Sequence, residues 1–468
     1  MPSSRPIAFC RPCFFCFAFN VKSPSLFSLA LLGLCLPFAA SADIHPWPQF
    51  RGPDGNGIAS ADDVPLRFSE SENIAWKTSV PGKGWSSPVV TDKGKIWLTT
   101  AIEVMPTEEE REKMLTATGE DPKTFKARQI AKNIKLQVLE LDLKTGKIER
   151  TIDLITVDAP DAIHALNSYA SPTPVLDGDR LFCHFGTYGT LCLDTTTGAT
   201  VWSQKFPLEH SVGPGSSPFI DGDRLILIND GVDQQYVIAL DKNTGETLWK
   251  TDRPEMRAEK GDQKKAYCTP IAITDKTGRH QLVCMGSQWL VSYDPATGKE
   301  LWRLDHGSGF SVVPRPIYDE KNGLVFISTG FGKPELWAVR PDGTGDITDQ
   351  PDQVAWKESK RIPAKPSPLL IGDELFVIQD GGIGTSFDAA TGAIHWTERI
   401  PGNYSASPLL ANGRIYLANQ EGMVTVIAPG KTFQVLAENQ LDGQLMASPV
   451  ALDGTLLIRS DSAIYRIQ

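Results

Sequence analysis

Side chains able to donate protons, accept them or carry charge collect in a few short stretches of this sequence. One is His164-Ala-Leu-Asn167-Ser-Tyr169, and a second is His210-Ser-Val-Gly-Pro-Gly-Ser-Ser217, followed by Asn229, Asp230, Asp233 and Gln234. Arg253 and Tyr267-Cys-Thr269 come next, and Arg315, Arg361 and Lys365 lie further on. A face with acids on one side and arginines on the other can bind a polar or anionic small molecule, or a peptide. Asn and Asp also populate loops for backbone reasons, because their side chains hydrogen-bond the local chain. Both readings apply to His164, Asn167, Tyr169, His210, Asp230, Asp233, Arg253, Arg315 and Arg361, the candidates for a binding mouth.

No set of residues reads as catalytic, and no metal site is expected. A Gly-x-Ser-x-Gly elbow is absent, and no carboxylate pair at a definable separation supports glycoside chemistry. Asp54-Gly-Asn56-Gly57 opens like a calcium loop but lacks the glutamate that closes one at the EF-hand distance. Gly213-Pro-Gly215 and Gly307-Ser-Gly309 lack the strand-to-helix setting of a phosphate cradle.

The elements that must position these stretches repeat along the chain. Each unit opens on a small residue and a proline, continues through two apolar residues and an Asp-Gly type turn, and closes on a Thr-Gly turn and a tryptophan. The clearest copy runs from Ser217-Pro218 through Asp221-Gly222 and Thr244-Gly245 to Trp249. The anchors are Pro88, Pro174, Pro218, Pro270, Pro316, Pro368, Pro408 and Pro449, mostly 40 to 52 residues apart. That spacing is near the length of one propeller blade. The longer first interval contains a charged stretch, 103–134, in which Thr107 and Glu110 have capping-box spacing, so a helical insertion in the first blade is expected. Turns that need positive φ between short apolar runs, without βαβ alternation, predict antiparallel strands in a radial array.

The last unit stops after Ile464-Tyr-Arg-Ile467 without an outer strand, while Trp76 in Ile74-Ala-Trp-Lys77 precedes the first anchor. The strand around Trp76 is therefore expected to complete the last blade, which removes two open edges. The predicted fold is all-β, an eight-bladed propeller of four-stranded antiparallel blades over 76–468, with seven blades as the rival count. Residues 43–75 are then an extended N-terminal segment. The recurring Trp76, Trp202, Trp249, Trp302, Trp356 and Trp396 suit packing between blades better than ligand stacking, since they hold one fixed place in the repeat.

Residues 1–42 read as a signal peptide. Arg5, Arg11 and Lys22 form a basic region, Leu26–Phe38 a short apolar one, and Ala40-Ser41-Ala42 a cleavage site. Lipidation at Cys35 is the alternative, against which Leu34 stands where a small residue is required. Export to the periplasm or beyond is expected, with no integral membrane span. Export also permits disulfides, Cys183 with Cys192 and Cys268 with Cys284 across predicted hairpins; the other reading is four small apolar strand residues. The formal net charge is −10, which disfavours nucleic acid as a partner.

Leu240-Asp-Lys-Asn-Thr-Gly-Glu-Thr-Leu-Trp249 and Tyr293-Asp-Pro-Ala-Thr-Gly-Lys-Glu-Leu-Trp302 resemble the tryptophan-docking repeat of pyrroloquinoline quinone (PQQ) dehydrogenases and of BamB-like exported propellers. The segment Trp47-Pro-Gln-Phe-Arg-Gly-Pro53 is similar to the N-terminal segment of PQQ-like proteins. The BamB side of the resemblance implies a non-catalytic scaffold, acting as a monomer, that binds an envelope protein or polymer at a sheet edge or the channel mouth. The dehydrogenase side implies oxidation of alcohols or sugars with PQQ and Ca²⁺. Those enzymes carry adjacent cysteines over the quinone, and no Cys-Cys pair occurs here. A carbohydrate-binding propeller is a third idea, resting only on acids and tryptophans.

Overall fold

The Thr-Gly turns show how one blade is made to fit the next. In one of them Asp241 Oδ1 accepts from the backbone N–H groups of Asn243 and Thr244, and Gly245 takes φ +76°. A Cβ on Gly245 would lie 2.7 Å from the Trp202 ring, so the missing side chain makes room for the indole of the preceding blade. The Trp202 N–H then donates to Lys242 O at 2.9 Å. Trp76 sits over Gly146, Trp249 over Gly298 and Trp356 over Gly392 in the same way. Their N–H groups donate to Leu143 O, Pro295 O and Ala389 O, and that of Trp396 donates to Gly430 O.

The computed structural model describes residues 44–468, and the expected signal peptide and the Cys35 lipidation site lie outside the described residues. Eight sheets form an eight-bladed propeller, so the rival count of seven is set aside. Blades are numbered here from the Pro88 anchor. The inner strands of blades 1 to 4 are Val89–Val90, Val175–Asp177, Phe219–Asp221 and Ile271–Thr274. Those of blades 5 to 8 are Ile317–Asp319, Leu369–Ile371, Leu409–Ala411 and Val450–Leu452. The outer strand of blade 8 is Ile74–Ser79, paired antiparallel with Ala463–Ile467 so that Lys77 faces Tyr465. The core lies between blades: Leu225, Leu227 and Ile238 of blade 3 pack on Phe182 and Trp202 of blade 2, and their neighbours Ile226 and Val237 pack on blade 4.

Three details depart from the sequence expectations. In blade 5 the Thr344-Gly345 pair lies in a longer connection where a Cβ on Gly345 would meet nothing within 4 Å, so Trp302 is fully buried between blades 4 and 5 without the shared docking; its N–H donates to Gln281 Oε1 in its own blade. Gly345–Asp346, in the longer connection of blade 5, adds a parallel fifth strand beside Trp302 and Arg303. The insertion is helical only at Glu108–Ala117 and Pro122–Ala127, because residues 103, 104, 133 and 134 continue the flanking strands. The helix begins with a capping box between Thr107 and Glu110.

The four cysteines Cys183, Cys192, Cys268 and Cys284 are free and buried, which corrects the disulfide expectation. Register is the reason. Cys183 stands opposite Leu191 and Cys192 opposite Phe182, so the two thiols point to opposite faces of blade 2. Cys183 packs towards blade 1 and Cys192 towards blade 3. Cys268 and Cys284 are likewise split between the blade 4–5 and blade 3–4 cores.

Removing the Trp202 indole leaves a void over Gly245 that no side chain can fill. Trp202→Ala is expected to cost about 3–5 kcal/mol, read as a lower denaturant midpoint in equilibrium unfolding. An unchanged midpoint would show that the indole does not hold the blades together.

Candidate channel-mouth site

The residue before the anchor proline is Ser or Thr in seven of the eight blades, and these seven line the central channel. The Ser87 N–H donates to Thr173 Oγ1, Thr173 N–H to Ser217 Oγ, and Ser217 N–H to Thr269 Oγ1, at 3.0–3.1 Å. The series resumes with Arg315 N–H to Ser367 Oγ, Ser367 N–H to Ser407 Oγ, and Ser407 N–H to Ser448 Oγ. Two arginines bridge the gaps. Arg315 Nε donates to Pro270 O, linking blades 5 and 4, and Arg459 Nη1 donates to Ser86 O and Oγ, linking blades 8 and 1.

The N-terminal segment closes the channel beneath this ring. Trp47 exchanges backbone hydrogen bonds with Val90 in blade 1, and Pro48 O accepts from Leu176 N–H in blade 2. Two residues later Phe50 O accepts from Arg315 of blade 5, and Arg51 donates to Pro368 O of blade 6. Blades 1 and 5 are opposite in an eight-membered ring, so the chain crosses the axis there. Gly55 lies so close to the Arg315 guanidinium that a Cβ would fall 2.0 Å from Nη1.

What remains is a well of about 640 Å³ whose lining includes Phe50 of the plug. Trp85, Leu166, Tyr267, Phe310, Phe331 and Met446 supply apolar wall, and Lys265, Lys365 and His164 are its cationic or titratable nitrogen groups. Among the described lining residues there is no aspartate or glutamate. Lys265 pairs with Asp262, and Lys365 lies 3.5 Å from Asp380. Burial, with Arg128 and Lys365 nearby, lowers the His164 pKa, so its imidazole is neutral at neutral pH.

The nine candidate residues do not converge. His164 and Asn167 line the well, where Asn167 Nδ2 is occupied by Val212 O and Pro214 O. Tyr169 is buried outside it, donating to Asp161 O. His210 lies behind the wall and accepts from Thr187 N–H, while Asp233 accepts from Glu209 N–H. Asp230 and Arg253 form a bidentate pair, 0% and 1% exposed, within the ring of blades. Arg315 holds the plug, and Arg361 is an exposed residue at φ +61°. The hydroxyl ring was missed, although its signal, a Ser or Thr before seven of the anchor prolines, is plain in the sequence.

Calcium with PQQ, which the dehydrogenase resemblance implies, asks for several hard oxygen ligands at one place. The well offers hydroxyls, amines and aromatic rings but no carboxylate, and no three His, Cys, Asp or Glu residues gather as a metal site among the described residues. The residues present do not fit a calcium-held quinone.

A family model described as outer membrane protein assembly factor BamB matches residues 66–251, 135–333 and 286–446. The 1-butanol dehydrogenase (quinone) of Thauera butanivorans is 24% identical over 210 residues, covering 40% of this chain and 29% of that protein. The quinohemoprotein alcohol dehydrogenase ADH IIB of Pseudomonas putida is 26% identical over 174 residues, covering 36% and 22%. The chain thus spans less than a third of the length of these relatives. BamB from Moraxella catarrhalis superposes with a TM-score of 0.50 at 14% identity, over 84% of this chain and all of that one. A europium-containing methanol dehydrogenase gives 0.62 at 10% identity, over 90% of both chains. These two likenesses show the fold. No helix among the described residues is long and apolar enough to cross a membrane.

Three imidazoles are buried and neutral. Burial pulls His184 down to about 3 and His210 and His306 to about 4, from an ordinary value of 6.5. The unfolded chain therefore takes up protons first as the pH falls, and stability drops from about pH 6.5 towards pH 4. Thermal melts at stepped pH should show this decline, and His210→Gln, which keeps an acceptor for Thr187 N–H, should lessen it. An identical slope in that variant would contradict the assignment.

Proposed function

We propose that this chain, which belongs to the family of the outer membrane protein assembly factor BamB, is an exported, non-catalytic scaffold that presents its channel mouth to another envelope protein or polymer. The observation that carries this reading is the dispersal of the charged candidates. Asp230 with Arg253, and Arg315 with the plug, are committed to holding blades together, and the well is left with apolar and hydroxyl surface and two acid-paired lysines. Leu166 and Phe331 stand at that mouth 43% and 37% exposed. Exposed aromatic and aliphatic groups around a cavity are what a docking partner buries.

Leu166→Glu and Phe331→Glu place charge on this rim without touching the core. Pull-down from envelope extract should recover a partner with the unaltered protein and lose it with both variants. Recovery of the same proteins by all three would sink the mouth as the docking surface.

The matches to quinone-dependent alcohol dehydrogenases favour a second reading, an oxidoreductase using PQQ. Added PQQ and Ca²⁺ are expected to give no quinone absorbance band, no thermal shift and no dye reduction with alcohols. A band together with dye reduction would replace the scaffold by the enzyme.

A further inference from the structure

The hydroxyl ring has its acceptors used and its donors spare. Each of six hydroxyl oxygens takes a backbone N–H from the neighbouring blade, yet none of these groups donates to another part of the described protein. Ser87 Oγ makes neither kind of bond to the protein. Seven O–H groups thus remain for whatever occupies the channel, in a well without a single carboxylate lining it. Converging hydroxyl donors with no carboxylate in the lining suit an oxyanion, the more so in surroundings drier than bulk water.

The plug decides what can bring that oxyanion in. Because the segment from Trp47 to Arg51 crosses the axis, an extended chain cannot thread the propeller. The end of a chain can lower a charged group to the ring while its preceding side chains meet Trp85, Phe310 and Phe331 of the same well. Lys365 lines the same well, where it is paired with Asp380 at 3.5 Å.

We infer that the well receives the C-terminal carboxylate of a partner polypeptide whose last residues are apolar or aromatic. This deepens the proposed docking at the mouth and rests on that reading. Capture of a terminal carboxylate by inward-facing donors is a physical mode open to such a site. The two carboxylate oxygens accept from the hydroxyl ring, Lys365 supplies the countercharge, and the rim buries the terminal side chains.

The experiment is fluorescence polarisation with a dye-labelled hexapeptide, Gly-Ser-Gly-Ala-Leu-Phe, as free acid and as C-terminal amide. The free acid should bind, and the amide should bind about ten-fold more weakly or worse, since a charged hydrogen-bond partner is lost. Lys365→Met should weaken the acid about ten-fold and leave the amide unchanged, and Ser87→Ala, which removes no bond within the protein, should weaken the acid about three-fold. Equal binding of acid and amide overturns the inference, as does absence of binding by the acid. Displacement of the peptide by phenylpropionate at equal concentration also overturns it, since the site would then belong to a free organic acid. If rim variants abolish the pull-down while acid and amide bind alike, docking at the mouth stands and only carboxylate capture falls. A variant whose melt differs from that of the unaltered protein is replaced by the other of the two.

Discussion

An indole lying over a glycine is the contact on which the propeller depends. The geometry works because three local preferences agree. An aspartate caps the turn through two backbone N–H groups, a glycine adopts positive φ where other residues are strained, and the tryptophan of the previous blade fills the space a side chain would have taken. Where one partner is missing the structure adapts. Blade 1 presents Ile152 to Gly198, and blade 5, whose Gly345 stands clear of any ring, leaves Trp302 to hydrogen-bond inside its own blade. The extra parallel strand at Gly345–Asp346 covers the edge there.

Around the axis a different interaction takes over. The blades are joined by backbone N–H to hydroxyl bonds and, where these stop, by buried arginines. Burial lowers Arg51 and Arg459 to about 9 and Arg315 to about 10, so all three remain charged at neutral pH. None has a carboxylate partner among the described residues; each is held by backbone carbonyls or a serine. Fixed dipoles rather than counter-ions therefore stabilise positive charge beside the channel, which is consistent with a lining free of acids.

The repeat was legible because its signals are local: a proline, a turn glycine and a tryptophan recur at similar offsets, and eight blades follow from counting them. The site was much less legible. Polar side chains near the anchors were visible as types, but whether Asp230 faces solvent or Arg253 depends on the pairing of Arg224–Asp230 with Gln235–Asp241 and on the neighbouring blade, which no short stretch encodes. The cysteines show the same limit. Facing positions across a hairpin looked suitable for bridging, yet a one-residue offset in register sends Cys183 and Cys192 to opposite faces. The ring of hydroxyls was readable and was passed over because Ser and Thr before proline look like ordinary turn residues.

The segment Trp47–Ser79 also has a bearing on how the molecule assembles in time. It supplies both the floor of the well and the outer strand of blade 8, whose other strands are the last of the described chain. During synthesis this segment precedes every blade, but its partners in blades 5 to 8 arrive only after the first four blades have followed. Joining contacts so distant in sequence is slow, since loop-closure entropy precedes the gain. The ring latch and the well floor therefore form in one late event. Until then the growing array has a free blade edge and a channel open at both ends, and the completed cup is itself a marker that the whole propeller has folded.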